Sequence, residues 1–339
     1  MRTAASLISS GTERMVVESA GKGLVQEARE RPDLVRAVVE KARKEGLLNT
    51  FSAVRDKLAA STALGYSASG IVIGVGAEVT EFRIGDRVAC AGVGFASHAE
   101  AISVPKNLCV QLPVEVDFES GAFGTLGAIA LQGVRLAEPT LGESVVVIGL
   151  GLVGQLTVQL LKANGCRVFG IDLDPARVAL ALQLGADEAK VSGDDLKNAV
   201  MKWTRGRGAD AVLITAATDS NQPVELAGEI SRLKGRVVIV GMTGMEIPRQ
   251  TFFSRELSLK ISMSYGPGRY DPEYEERGHD YPFAYVRWTE NRNIVGRSIV
   301  APTGFVADTP TGRNTGANHL CTCFVASKPR LKLAAGCRR

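Results

Sequence analysis

Three glycines after an apolar run are the residues whose spacing most clearly points to chemistry. Gly149, Gly151 and Gly154 form a GxGxxG pattern between the apolar stretch 145–148 and a helical pattern. In a strand–turn–helix unit the first glycine permits a tight turn, and the second lets the backbone approach a pyrophosphate. The third allows the helix to pack closely on the sheet. The pattern therefore predicts a dinucleotide-binding turn; the alternative is that the glycines serve packing alone.

The residues after this turn extend the expected cofactor site. Free N–H groups at Leu152 and Val153 are expected to face a phosphate, aided by the helix dipole. Asp172 ends the next predicted strand 18 residues after Gly154, near the position of an acid that binds the adenosine ribose hydroxyls. Because a carboxylate there repels a 2′-phosphate, we predict NAD(H) over NADP(H). Arg177 lies five residues later and partly offsets that repulsion.

Length and composition fit a two-domain globular protein. The chain has 339 residues, of which 45% are hydrophobic and 22% charged, against roughly 150 residues per domain. The net charge is +4 with bases dispersed among acids, so no nucleic-acid partner is expected. Six cysteines are too sparse for a disulfide scaffold and predict reduced thiols in the cytoplasm. The longest apolar run falls short of the ~20 residues of a membrane helix, so no membrane partner is expected.

The pattern of apolar segments predicts an α/β fold. Short β-runs between turn residues over 64–113 predict a small barrel, and alternating strands and helices from residue 143 predict a doubly wound parallel Rossmann sheet. The predicted domains are a barrel at 1–116 with a helical insertion at 19–60, a dinucleotide-binding domain at 117–255, a return to the barrel and cleft at 256–293, and an atypical tail at 294–339.

The motifs GYSASGIVIGVGAEV, FRIGDRVACAG and GLGLVG stand in an order that resembles the zinc-type alcohol dehydrogenases, the medium-chain dehydrogenases/reductases. The resemblance covers roughly residues 3–290 and implies a GroES-like barrel before a Rossmann domain. More narrowly, LISSGTERMVVE, RPDLVRAVVEKARKEGLL, SYGPGRYDPEYEERGHDYP and YVRWTENRN resemble bacterial bi-domain oxidoreductases. In those proteins such a unit is fused to a domain of the glucose–fructose oxidoreductase/inositol dehydrogenase type, which would make this chain a truncated form.

The positions of the family's zinc ligands hold other residues in this chain. Ser10 stands where the family has a cysteine before Gly and Ser or Thr, and Gly65-Tyr66-Ser67 stands where it has Gly-His-Glu. The third position falls at Gly124-Thr125, and the four-cysteine lobe of the family is missing. We therefore predict a zinc-independent protein with no metal site.

Four residues are candidates for catalysis and substrate binding. Tyr66 fills the second ligand position and Thr12 stands beside the first, so either hydroxyl could donate to a substrate oxygen or relay a proton. Tyr66 could equally be a core aromatic residue, and Thr12 a turn residue. The resemblance places Tyr265 and Arg269 at the interdomain cleft, as candidates for substrate contact.

These expectations combine into a zinc-independent, NAD(H)-dependent oxidoreductase that transfers hydride at a hydroxyl or carbonyl carbon. The resemblance implies a small sugar-like or polyol substrate, and a homo-oligomer is left open. One alternative is a zinc-independent enoyl or quinone reductase, in which hydride adds to a conjugated double bond. The other is an inactive, truncated NAD-binding remnant.

Residues 294–339 differ from the rest of the chain. They are rich in Gly, Thr, Pro and Arg and have neither helical nor strand periodicity, so they are expected to be disordered. The resemblance ends at Asn293. A shifted reading frame would account for both features, and a divergent natural tail is the alternative.

Overall fold

A computed structural model describes residues 1–9, 11–14, 17, 63–193 and 195–300, with the side chains of 297–300 excepted. It confirms the predicted α/β fold, with an antiparallel barrel-type sheet and a parallel Rossmann-type sheet. The predicted helical insertion at 19–60 lies outside these residues. No helix within the described ranges is long and apolar enough to cross a membrane.

The barrel-type sheet has four antiparallel strands in the order β1-β2-β3-β4. They are β1 (Arg2–Ser6), β2 (Ser67–Ile71), β3 (Arg87–Ala91) and β4 (Cys109–Gln111). A Cβ on Gly70 would lie 2.1 Å from the carbonyl oxygen of Arg2. The close pairing of β1 with β2 therefore requires a glycine at position 70.

The second sheet has six parallel strands in the order β10-β9-β8-β5-β6-β7. They are β5 (Ser144–Ile148), β6 (Arg167–Asp172), β7 (Glu188–Val191), β8 (Ala209–Ile214), β9 (Ser231–Ile239) and β10 (Ser258–Ile261). Val145, Val146 and Val147 of the central strand are fully buried. Helices cover both faces of a doubly wound sheet, so its central strands are continuous apolar runs rather than alternating ones.

Short and long helices connect the strands of both sheets. They are α1 (Phe118–Gly121), α2 (Gly124–Ala137), α3 (Leu152–Ala163), α4 (Pro175–Gln183), α5 (Leu196–Trp203), α6 (Gln222–Ile230), α7 (Arg249–Ser254), α8 (Pro272–Glu275) and α9 (Glu290–Val300).

Helix α2 packs against both sheets. A Cβ on Gly124 would lie 3.5 Å from the side chain of Ala89 in β3, whereas one on Gly133 would lie 2.5 Å from the side chain of Val240 just after β9. The glycine at position 133 therefore lets α2 lie close to the Rossmann sheet, while the start of this helix contacts the barrel.

Two predicted limits differ from the structure. Strand β10 pairs with β9 in the parallel sheet, so the predicted limit of the dinucleotide-binding domain at 255 falls before the last strand of that sheet. Helix α9 runs to Val300, and Ile294 is fully buried within it. The helix therefore continues to residue 300, past the predicted start of the tail at 294. The predicted tail from 301 onward lies outside the described residues.

Candidate functional site

The three glycines of the cofactor turn have three different environments. Gly149 has φ +94°, and a Cβ there would lie 2.5 Å from the backbone nitrogen of Ala216. A Cβ on Gly154 would lie 2.0 Å from the carbonyl oxygen of Gly149. A Cβ on Gly151, by contrast, would meet nothing within 4 Å. The first and third glycines are thus required by the fold, while the second borders open space suited to a ligand.

The start of α3 has the features of a phosphate site. Gly151 is the N-cap residue, and because it is a glycine, no side chain caps the helix N-terminus. The first intrahelical bond runs from the N–H of Gln155 to the carbonyl of Gly151, at 2.8 Å. The N–H groups of Leu152 and Val153 precede that bond and have no partner within the helix, as at any helix N-terminus. They and the helix dipole favour a bound anion beside Gly151.

Asp172 is joined to the cofactor turn by hydrogen bonds. Its Oδ2 accepts from the backbone N–H of Leu150 at 2.6 Å, and its Oδ1 accepts from that of Asp174 at 2.9 Å. Nη1 of Arg177 lies 3.7 Å from Oδ2 of Asp172. The structure therefore brings together the predicted ribose-binding acid, the glycine turn and the basic residue beside them.

Tyr66 and Thr12 also meet. The Tyr66 ring is buried, and its hydroxyl hydrogen-bonds with the side chains of Ser9 and Thr12, whereas Thr12 is itself exposed. Burial raises the pKa of Tyr66; the Ser9 and Thr12 hydroxyls lower it in part, and the charge of Glu13 raises it further. A phenol of this kind stays protonated at neutral pH and can donate to an oxygen atom of a ligand.

Sequence reasoning missed two residues next to Tyr66. Glu13 is 7% exposed, and its Oε2 lies 3.0 Å from Nε2 of His98. Neither Glu13 nor His98 is among the residues that the sequence patterns single out for catalysis or binding. Their separation of 85 residues explains the omission, since no local pattern relates them. The one available signal was that Tyr66 replaces the histidine of the family's Gly-His-Glu motif, which marks the surroundings of Tyr66 as unusual.

Tyr265 and Arg269 lie in a different, buried cluster. Tyr265 is 1% exposed, and its hydroxyl has no hydrogen-bond partner among the described residues. Nη1 of Arg269 donates to Oε1 of Glu275 at 2.5 Å. Glu290 is fully buried, and neither of its carboxyl oxygens has a hydrogen-bond partner within the described part of the chain. Burial raises the pKa of Glu290 to about 8, with a further increase from Glu275 and an opposing effect of Arg269.

The two tyrosines belong to separate apolar clusters. Tyr66 packs in a cluster with Phe123 and Leu126, whereas Tyr265 packs in one with Leu108 and Ile294. The prediction that Tyr265 and Arg269 contact substrate stays a prediction, and the structure does not place them beside Tyr66.

Comparisons with known proteins identify the family. Residues 153–277 match the family of zinc-binding dehydrogenases, and residues 44–114 match the alcohol dehydrogenase GroES-like domain. A probable D-xylulose reductase A of Aspergillus fumigatus is 30% identical over 243 residues, covering 61% of this chain and 67% of that protein. The (R,R)-butanediol dehydrogenase of Bacillus subtilis is 28% identical over 235 residues. The chain belongs to the zinc-type alcohol dehydrogenase family, the medium-chain dehydrogenases/reductases, which is a family of oxidoreductases.

Solved structures agree with this assignment. The crystal structure of 2R,3R-butanediol dehydrogenase from Bacillus subtilis aligns with a TM-score of 0.55 and 27% identity, covering 61% of this chain and 66% of that one. The galactitol-1-phosphate dehydrogenase of Escherichia coli aligns with a TM-score of 0.56 at 23% identity, over 70% of this chain and 74% of that one, and shows the shared fold. The match with the butanediol dehydrogenase thus spans about two thirds of its length. The matched families do not include a glucose–fructose oxidoreductase domain.

The prediction of a zinc-independent protein without zinc as cofactor is wrong for this family. The family that matches residues 153–277 is that of zinc-binding dehydrogenases, and it outweighs an inference drawn from three substituted positions. Within the described residues, no group of three His, Cys, Asp or Glu side chains could hold a metal ion. The described residues therefore do not fit the zinc site of the family.

Proposed function

We propose that this chain is an NAD(H)-dependent dehydrogenase/reductase that acts at a carbon bearing a hydroxyl or carbonyl oxygen. The observation that carries the proposal is the open space at Gly151, which adjoins the N-terminus of α3 while Asp172 is bonded to the same turn. When bound, NAD(H) accepts or supplies the hydride. The N–H groups of Leu152 and Val153 would hold its pyrophosphate, and Asp172 its adenosine ribose.

The preference for NAD(H) rests on the surroundings of Asp172. Its carboxylate accepts two backbone hydrogen bonds, which hold it beside the glycine turn. A ribose 2′-phosphate would meet this charge at close range. Arg177 does not cancel it, because its guanidinium lies 3.7 Å from both Asp172 and Asp174 and so faces two carboxylates.

Tyr66 and Thr12 would transfer the proton between the substrate oxygen and solvent. In the reductive direction the substrate oxygen needs a proton when its carbon receives the hydride. The buried Tyr66 phenol can donate that proton, and the exposed Thr12 hydroxyl, bonded to it, links the phenol to water. In the oxidative direction the same groups would return the substrate's proton to solvent.

For the substrate we propose a small polyol or sugar-like ketone. Support comes from the matched relatives, whose names refer to a ketopentose and a diol. The motifs that resemble the bi-domain oxidoreductases also favour a sugar-like substrate, and we propose that this chain is a member of that subgroup. We also propose that the enzyme is cytoplasmic and acts on a freely diffusing small molecule.

The experiment is a substrate panel with the change in NADH absorbance as readout. The protein should be produced in zinc-supplemented medium, so that any zinc it binds is present. We expect polyols to reduce NAD⁺ and the matching ketoses to oxidise NADH. Tyr66→Phe should lower kcat by about 10²-fold, the lower end of the range for general acid–base groups. Turnover of enones but of no polyol or ketose would contradict the proposal.

A further inference from the structure

A buried carboxylate–imidazole pair lies directly beside Tyr66. The Glu13 side chain uses both oxygens: Oε1 accepts from the backbone N–H of Ser9 at 2.9 Å, and Oε2 lies 3.0 Å from Nε2 of His98. On the other side of the imidazole ring, Nδ1 lies 2.9 Å from Oγ of Ser6. The side chains of Glu13 and His98 are 10% and 16% exposed. Such a shielded, fully bonded pair is held more firmly than an ion pair on the surface.

This pair joins the segments that surround the Tyr66 hydroxyl. Glu13 lies on the helical turn 11–14, which also carries Thr12. The ring of His98 packs on the residue before Tyr66, since a Cβ on Gly65 would lie 2.9 Å from that ring. The backbone N–H of His98 also donates to the carbonyl of Leu64 at 2.9 Å. Glu13 and His98 therefore contact both the segment that carries the Ser9 and Thr12 hydroxyls and the backbone next to Tyr66.

We propose that Glu13 and His98 are positioning residues for Tyr66: they fix the hydroxyls of Ser9 and Thr12 against the phenol and place a negative charge beside it, so that the tyrosinate left after proton transfer regains its proton. This inference rests on the proposed function for the role of Tyr66. Neither residue needs to touch the substrate.

The electrostatics around the phenol agree with this role. Among the described groups, the charge of Glu13 raises the pKa of Tyr66, in the same direction as burial. Within the described part of the chain, Glu13 on the turn 11–14 is the charged group that acts on the phenol, and His98 on the loop after β3 contacts Glu13. Thr125 of α2 is uncharged, and its hydroxyl donates to the carbonyl of Tyr66 at 3.2 Å. After Tyr66 gives its proton to the substrate oxygen, a tyrosinate would lie next to a carboxylate. That repulsion favours rapid return of a proton from water through Thr12, which restores the phenol and balances the reaction.

The test measures the titration of Tyr66 without turnover. The tyrosinate absorbance of the parent minus that of Tyr66→Phe isolates this phenol. The same difference is measured in Glu13→Gln, which keeps size and hydrogen bonding but removes the charge. We expect the Tyr66 titration to move to lower pH in Glu13→Gln and to stay in place in Glu100→Gln, a matched change at an exposed glutamate. Glu13→Asp keeps the charge and should stay close to the parent.

Kinetics supply the second readout. We expect Glu13→Gln to lower kcat by about tenfold or more with the KM for NADH unchanged, because proton transfer rather than cofactor binding is affected. If Glu13→Gln does not fold, His98→Leu removes the partner of Glu13, and the same fall in kcat is expected. A Tyr66 titration unmoved in folded Glu13→Gln would overturn the inference, as would a kcat within twofold of the parent in either variant. If the titration moves but no polyol or ketose is turned over, the proposed function fails while the Glu13 contact with Tyr66 stands.

Discussion

The backbone N–H of Leu150 donates to Oδ2 of Asp172 at 2.6 Å. This bond links the glycine turn after β5 to the acid that ends β6. Parallel neighbouring strands end at the same edge of a sheet, so the fold itself sets the proposed pyrophosphate and ribose positions relative to each other. The acid is 9% exposed, which leaves it little freedom to move away from the turn.

Replacement of Asp172 tests the assignment of the cofactor. Asp172→Ser removes the charge that would repel a 2′-phosphate, so we expect NADPH to bind more tightly and the preference for NADH to narrow by roughly tenfold, or about 1.4 kcal/mol. Fluorescence titration with both cofactors measures the effect. Asp174→Asn is the matched control, since it removes a neighbouring charge while an asparagine still caps α4. Equal affinity of the parent for both cofactors would refute the role of Asp172.

Two alanine variants of the turn should fail in different ways. In Gly151→Ala the new methyl group meets no protein atom within 4 Å, so the variant should fold normally but bind NADH at least tenfold more weakly. In Gly154→Ala the methyl group would lie 2.0 Å from the carbonyl oxygen of Gly149, so the free energy of unfolding should fall by about 1–3 kcal/mol. Thermal denaturation and NADH titration separate the two effects. Normal NADH affinity in a folded Gly151→Ala would place the pyrophosphate elsewhere.

Glu290 predicts a pH-dependent stability. Its folded pKa of about 8 lies above the ordinary value of 4.5, so its stabilising effect is complete below pH 4.5 and is lost as the pH rises through 8. Glu290→Gln keeps a neutral side chain at all pH values. The free energy of unfolding of the variant should therefore rise relative to that of the parent as the pH increases from 4.5 to 8. The difference at pH 8 should be on the order of a few kcal/mol.

Chemical denaturation at several pH values measures this gain. Glu276→Gln is the control, because Glu276 is an exposed glutamate directly after α8. A difference between Glu290→Gln and the parent that is independent of pH would show that Glu290 is already ionised in the folded protein.

Tyr265→Phe separates a packing role from substrate contact. The hydroxyl is buried without a hydrogen-bond partner among the described residues, so its removal should leave the free energy of unfolding within about 1 kcal/mol of the parent or raise it. Because the residue is 1% exposed, we expect the KM for a polyol to change less than twofold. A severalfold higher KM with unchanged stability would support the earlier prediction that Tyr265 contacts substrate.

The local sequence largely determined the proposed cofactor site. Gly149, Gly151, Gly154 and the strands on either side act through backbone conformation and spacing, and Asp172 follows at a distance that one strand–helix–strand unit fixes. These relationships depend on residues close in the chain, so they could be read before any tertiary contact was known.

The sequence by itself did not determine the surroundings of Tyr66. The pairing of Glu13 with His98 and the burial of the phenol depend on β1, the turn 11–14 and the loop after β3 coming together, and no periodicity encodes contacts 85 residues apart. The same holds for Glu290, which looks like a surface residue at the start of a helix and is fully buried only because helix α9 packs on α2 and the barrel. Burial and charge pairing between distant segments are properties of the packed chain, and they decide which polar side chains can do chemistry.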